Sequence, residues 1–168
     1  IYKSMNRVIY SLYIDVPEKE HFGNSNFKGD TAARGLKTRN AFKEHYQRLI
    51  ECKTKYADRI GASFHMYEYD KDYKTFSDNL LKDFPFLTGY EIVNFYKIHL
   101  LYVLAKKYDE ILYLDFDAIP VTTDNFFEAW DLTKGICVYN NNAMINKMNM
   151  TIDKISHGIR SPTSKYYN

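Results

Sequence analysis

The chain has 168 residues, 45% hydrophobic and 26% charged, which is enough apolar material for one domain with a buried core and too much for intrinsic disorder. Its net charge of +2 gives no strong basic field, so electrostatics alone argues for neither nucleic acid nor an anionic membrane as partner. Cys52 and Cys137 lie far apart and make neither a disulfide framework nor a metal-spaced pair.

Arg7 to Ile14 is β-branched and aromatic and stops at Asp15-Val16-Pro17, so it reads as a first buried strand. Residues 17–38 are polar, carry Gly23, Gly29 and Gly35, and show no apolar period. They read as a flexible loop of the length that lids take. Asn40 is placed to cap a helix whose apolar residues Phe42, Tyr46, Leu49, Cys52, Tyr56 and Ile60 share one face, with Gly61 ending it. Ser63 to Tyr69 reads as a second strand closing on the charged turn Asp70-Lys71-Asp72, and Asp78 to Phe84 as a short helix before Pro85.

Glu91 to Lys107 carries the strongest helical pattern, with Ile92, Phe95, Tyr96, His99, Leu100, Val103 and Leu104 on one stripe and Lys106-Lys107 complementing the dipole at its end. A third strand, Glu110 to Leu114, follows at once and runs into Asp115-Phe116-Asp117. Thr123 or Asp124 then caps a short helix through Trp130, and Gly135 precedes a strand from Ile136 to Tyr139. Strands alternating with helices predict a single α/β domain over residues 1–168 with a mostly parallel sheet.

No apolar run approaches the roughly 20 residues that cross a bilayer, and no secretory leader pattern stands at the start. A reducing, cytoplasmic setting is expected, in which the triplet Asn149-Met150-Thr151 is a chance sequon. The 16 tyrosines and 11 phenylalanines supply core volume and also stacking faces of the kind that base and sugar sites use.

The informative motif is the acid pair that ends the third strand. Carboxylates are rarely buried unless they are paired or bound to a cation, and packing gives no reason for two of them one residue apart. In an extended segment the side chains of Asp115 and Asp117 project to the same side, while Phe116 turns back into the fold. In open α/β sheets that end of a strand faces the ligand crevice. Hard oxygen ligands suit Mg2+ or Mn2+, whose remaining ligands come from water and a substrate diphosphate. A solvated acidic turn after a strand is the plainer alternative.

Phe95-Tyr96-Lys97-Ile98-His99-Leu100-Leu101, then Lys107-Tyr108-Asp109-Glu110-Ile111-Leu112-Tyr113-Leu114-Asp115-Phe116-Asp117, then Phe126-Phe127-Glu128-Ala129-Trp130, resemble the GT-A glycosyltransferases related to glycogenin and to bacterial galactosyltransferases. The resemblance spans Tyr90 to Tyr139 and, more loosely, the first strand. It implies a GT-A, Rossmann-like sheet and transfer of a sugar from a nucleotide-sugar, with a UDP-sugar favoured, to an acceptor that is a glycan, a protein or a small molecule. It also implies Mn2+ or Mg2+ as cofactor. By position, Asp115 would contact the donor ribose and the metal, Asp117 would bind the metal directly, and Phe116 lies between them in the donor site. Lys97 matches a basic residue that reaches the donor diphosphate or sugar, and Ser11, Leu12 and Tyr13 fall where the family holds uracil and ribose. For Lys97 a solvated helix charge, and for Tyr13 a ring that closes a strand end, are the structural alternatives.

The family's third metal ligand is a downstream histidine, and His157 is the one histidine after the motif, at a short separation. The final residues Ser164-Lys165-Tyr166-Tyr167-Asn168 resemble the opening of the segment that precedes the acceptor half, which would place that half and the third ligand beyond Asn168. Lys37 and Arg39 stand at a helix foot that would suit a phosphate, or are plain surface. His65 and His99 read as core or half-buried, and His21 and His45 as surface.

Two other readings stay open. A phosphatase of the haloacid dehalogenase type also ends a strand on Asp-x-Asp, the first as nucleophile and the second as acid/base, although here Ile119-Pro120 follows where its motif continues with Thr or Val. A non-catalytic nucleotide-sugar-binding module is the third reading.

Overall fold

Val8 to Leu12 is buried throughout, and a strand covered on both faces belongs in the middle of a sheet. In the computed structural model, which describes residues 5–16 and 30–137 with side chains from residue 37 in the second stretch, this segment is β1 (Arg7–Tyr13). β2 (Ser63–Glu68) pairs with it in parallel, from Val8 opposite Ser63 to Tyr13 opposite Glu68. β3 (Glu110–Tyr113) pairs in parallel on its other edge, from Arg7 opposite Glu110 to Tyr10 opposite Tyr113. The sheet order among the described residues is β2-β1-β3. The fold is mixed α/β: a small three-stranded parallel sheet with flanking helices.

Parallel neighbours need crossovers. α1 (Asp30–Arg59) joins β1 to β2, and α2 (Lys71–Asp83) with α3 (Gly89–Leu104) joins β2 to β3. Alternation along β1 divides the core. Val8, Tyr10 and Leu12 pack with Tyr73 of α2 and with Ile92, Tyr96, Leu100 and Leu104 of α3. Tyr13 faces the other way, onto Phe42 and Tyr46 of α1. The two crossovers therefore cover opposite faces, as right-handed connections that run in opposite directions across the sheet require, the first from β1 to β2 and the second from β2 past β1 to β3. Each fully buried Leu or Ile contributes roughly 1.5–3 kcal/mol, so the α3 stripe is a large share of what holds this layer.

The three strands lie within one residue of their expected bounds. The helix starts differ. The segment expected as a loop over 17–38 is helical from Asp30, and residues 17–29 lie outside the described residues. An interior glycine such as Gly35 costs only about 1 kcal/mol, which a helix already propagating through later turns tolerates. The expected face of α1 holds, with Leu49, Tyr56 and Ile60 buried and Phe42, Tyr46 and Cys52 partly so. Gly61 ends it at φ 69°, a left-handed conformation that a side chain resists.

α2 begins well before the expected Asp78, because Asp70 caps it by accepting from the Tyr73 amide at 2.8 Å. α3 begins at a capping box: the Thr88 hydroxyl accepts from the Glu91 amide at 3.3 Å, and the Glu91 carboxylate accepts from the Thr88 amide at 2.7 Å. Its buried stripe is narrower than expected. Phe95 and His99 are exposed, and Lys106-Lys107 stand in a turn past its end.

A short helix, α4 (Phe126–Ala129), is capped by Asn125, whose side-chain oxygen accepts from the Phe127 amide at 3.1 Å, rather than by Thr123 or Asp124. A second unit starts at Trp130, where the described residues hold one 3-10 turn, Leu132–Lys134, capped by Asp131. Of the strand expected at 136–139, Ile136 and Cys137 carry no regular structure, and Val138 and Tyr139 lie outside the described residues. No helix among the described residues is long and apolar enough to cross a membrane.

Thr88→Ala removes an acceptor from the first turn of α3. It is expected to cost about 1 kcal/mol, read as a lower urea midpoint at unchanged slope; an unchanged midpoint would show that the box adds nothing.

Candidate functional site

β1 is the strand from which the chain leaves in one direction and past which it returns in the other. The gap between the carboxyl ends of β1 and β3 is therefore the topological switch point, the place where open α/β sheets bind ligands. Asp115-Phe116-Asp117 sits at that end of β3.

Two bonds carry the pairing one residue past β3. The Leu114 amide donates to the Tyr10 carbonyl at 3.0 Å, and the buried Ser11 hydroxyl donates to the Leu114 carbonyl at 2.7 Å. There the pairing stops and the chain closes on itself: the Ala118 amide donates to the Asp115 carbonyl at 3.0 Å, a turn with Phe116 and Asp117 at its centre. The expectation of an extended acid pair is corrected. Once the ladder with β1 is used up, the backbone groups find partners within the turn.

Phe116 turns into the fold, as expected, and is 5% exposed. Its ring stacks on Tyr13 at 4.8 Å and 25°, with Phe42 at 5.3 Å and Tyr46 at 5.6 Å. Its carbonyl accepts from the ammonium of Lys53 at 2.6 Å. Lys53 is fully buried on α1, and its Nζ also lies 3.3 Å from the Leu49 carbonyl and 5.5 Å from the Phe116 ring centroid. Burial pushes its pKa down, while the charges of Cys52 and Asp117 act the other way. Sequence reasoning missed Lys53. Its signal was a lysine in register with Leu49, Tyr56 and Ile60 on the apolar stripe.

Lys97 and Asp115 meet. The Lys97 ammonium is 2.9 Å from Asp115 Oδ1, the Tyr113 hydroxyl donates to the same oxygen at 2.5 Å, and Lys97 Nζ lies 5.0 Å from the Tyr113 ring centroid. The Tyr10 hydroxyl holds the backbone of Lys97 by donating to its carbonyl at 2.9 Å. Burial works against a charge on Asp115, but the Tyr113 hydroxyl and the Lys97 ammonium outweigh it and hold the carboxyl below the usual range. Burial, then the bond to Asp115 and the charges of Asp115, Tyr10 and Asp117, keep the Tyr113 phenol far above its ordinary value, so it stays a donor at neutral pH. Asp117 is exposed and, among the described residues, has no hydrogen-bond or ion-pair partner.

Ser11 and Leu12 reach the same strand end, but their side chains face inward, Ser11 to Leu114 and Leu12 to the core. The Tyr13 ring is packed on Phe116, and its hydroxyl is buried with no hydrogen-bond partner among the described residues. Arg39 and Lys43 converge on Asp15 just beyond β1, Arg39 through its Nε and Lys43 at 3.0 Å. Burial opposes charge on Asp15 as well, but these two cations hold its pKa low. Arg39 thus braces α1 against the strand end, while Lys37 is exposed. His65 is partly buried, with Nε2 3.0 Å from the Tyr108 hydroxyl, and His45 is exposed. His99 is exposed rather than half-buried, stacked beside Tyr96. His21, His157, the 149–151 triplet and residues 164–168 lie outside the described residues.

Among the described residues no group of three or more His, Cys, Asp or Glu side chains gathers to hold a metal. Among the described residues the site brings together two carboxylates, Asp115 and Asp117, with the part-exposed Lys97 beside Asp115. Comparison of the chain with protein-family models, with curated proteins and with solved structures finds no match in any of the three.

Lys97→Met is expected to raise the Asp115 pKa, followed by carbon-detected titration of its carboxyl. The folded pKa is the depressed one, so the stability from this charge is full above the unfolded value and is lost as pH falls through the folded one. Asp115 is 61% exposed, so that stability is small and screened by salt. An Asp115 titration that Lys97→Met leaves in place would contradict the pairing.

Proposed function

We propose that the chain is a metal-dependent glycosyltransferase core of the GT-A, Rossmann-like kind. It takes its sugar from a nucleotide-sugar, with a UDP-sugar favoured. The observation that carries this reading is the position of Asp115 and Asp117 on one tight turn at the switch point of a parallel sheet, with Lys97 beside them. The resemblance of residues 90–139 to GT-A transferases supports it from the sequence side.

The donor set fits a divalent cation. Carboxylate oxygens suit Mg2+ or Mn2+, Asp117 is uncommitted among the described residues, and both bonds to Asp115 fall on Oδ1. Asp115 and Asp117 would hold the ion, with water and diphosphate oxygens completing its shell. Bound there, the ion would offset charge developing on the departing nucleoside diphosphate. Lys97 would offer its ammonium to the same diphosphate, which two carboxylates alone would repel. Tyr113 keeps its proton and orients Asp115 through its hydroxyl. Ser11 holds Leu114, and so fixes where the turn begins. With the Ser11 and Leu12 side chains turned inward and the Tyr13 ring packed on Phe116, recognition of the base and ribose at this strand end would fall to backbone groups.

Thermal unfolding of the full chain with UDP or GDP tests the reading. Either nucleotide should stabilise it only when Mn2+ or Mg2+ is present, by about 2.7 kcal/mol at about 100 times Kd, and Asp117→Ala should abolish the gain. Slow metal-dependent hydrolysis of one member of a nucleotide-sugar panel would mark a transferase rather than a binding module. No stabilisation by any nucleoside diphosphate or nucleotide-sugar with metal would sink the proposal, and fluoroberyllate binding with phosphate release would replace it with a phosphatase.

A further inference from the structure

Position 53 of α1 lies among Leu49, Tyr56, Ala57 and Ile60, all buried, where an apolar side chain would fill the space without desolvating a charge. The chain instead buries a lysine completely. Its ammonium meets two backbone carbonyls and one ring, and the shortest of these contacts, 2.6 Å, is to the carbonyl of the residue between the two acids. No carboxylate among the described residues forms an ion pair with it. Replacing buried ion contacts by apolar packing is often neutral or stabilising, so stability alone gives weak reason for this arrangement.

The contact also has a definite geometric consequence. Phe116 is fixed at its ring by Tyr13, Phe42 and Tyr46 and at its carbonyl by Lys53, and the Ala118 amide closes the turn onto Asp115. With the ring and the peptide after it both held, the backbone on which Asp117 is mounted has little freedom to rotate. Ser11 and Tyr10 fix the chain just before Asp115 in the same manner. The acid pair is thus held from both ends, from β1 on one side and α1 on the other.

We propose that Lys53 is a positioning residue for the acid pair: its ammonium, bonded to the Phe116 carbonyl, holds the Asp115–Ala118 turn in the form that receives a divalent cation and a nucleoside diphosphate. The proposal rests on the glycosyltransferase reading for the identity of the ligand. It does not rest on that reading for the clamp itself, which a ligand-free measurement can follow. Lys53 would touch neither substrate nor metal; its bonded contact with the turn is the Phe116 carbonyl, and the charge of Asp117 lies near enough to be felt there.

The test uses the full chain, Lys53→Met, which keeps length and volume without charge, and Lys53→Arg, which keeps a cationic donor. Amide hydrogen exchange is read at Ala118, inside the turn, and at Leu114, on the ladder to β1; Mn2+-dependent UDP affinity is read by calorimetry. In Lys53→Met, exchange at Ala118 should quicken at least tenfold while Leu114 keeps its protection, and affinity for Mn2+ with UDP should fall about tenfold. Lys53→Arg should restore most of both. Unchanged Ala118 exchange in folded Lys53→Met would overturn the proposal, and so would protection lost equally at Leu114 and Ala118, which marks a merely structural lysine. If Lys53→Met does not fold, the arginine variant decides: turn protection and affinity near those of the parent support the clamp, and loss at both amides overturns it. A parent chain that binds no UDP with Mn2+ refutes the ligand assignment and the proposed function, while the exchange data still show whether Lys53 holds the turn.

Discussion

Burial of Phe116 is the constraint on which the site depends. An aromatic ring taken out of water contributes roughly 1.5–3 kcal/mol, and here it packs against the end of β1 and the inner face of α1. Its two neighbours are acids that favour water. Sinking the middle residue of Asp-Phe-Asp therefore does two things at once: it docks α1 onto the sheet and leaves Asp115 and Asp117 exposed at the switch point. The same ring that fills the core decides where the carboxylates stand.

Two lysines complete the electrostatics, and burial separates their roles. Lys97 sits at the surface of α3, partners Asp115 directly and remains near enough to solvent for a ligand to compete with it. Lys53 is sealed inside and meets carbonyls, so its contribution is to backbone geometry. Asp117 has neither kind of partner among the described residues. An asymmetric pair of this sort, one acid balanced and one not, is suited to a divalent cation that brings further oxygen ligands with it. Tyr113 and Tyr10 link the arrangement back to the sheet, through Asp115 and through the backbone of Lys97.

Much of the scaffold is legible in the sequence. β1, β2 and β3 are runs of β-branched and aromatic residues bounded by polar turns, and such runs have few other ways to bury themselves. Helix starts were harder to read, because caps look like ordinary loop chemistry. Asp70 belongs to a charged triplet, and the Thr88–Glu91 box straddles the glycine that opens α3. Gly35 suggested a break that α1 does not make. At the site, the type of Asp115 and Asp117 is plain from the strand that precedes them, but the turn that presents them is set by where the ladder to β1 runs out, a tertiary fact. Ser11 illustrates the same limit: its place at the strand end is readable, whereas its bond to Leu114 is not. Lys53 leaves only a polar letter on an apolar stripe, which a surface lysine at a helix boundary would also leave.

The central claim is that the turn at the end of β3 holds a divalent cation together with a nucleoside diphosphate. Anomalous diffraction at the manganese edge, from crystals of the full chain grown with Mn2+ and UDP, tests it most directly. The account predicts one manganese peak bonded to a carboxylate oxygen of Asp117, with Asp115 beside it and the diphosphate completing the shell. UDP seated elsewhere on the protein, or a manganese peak away from both acids, would contradict it.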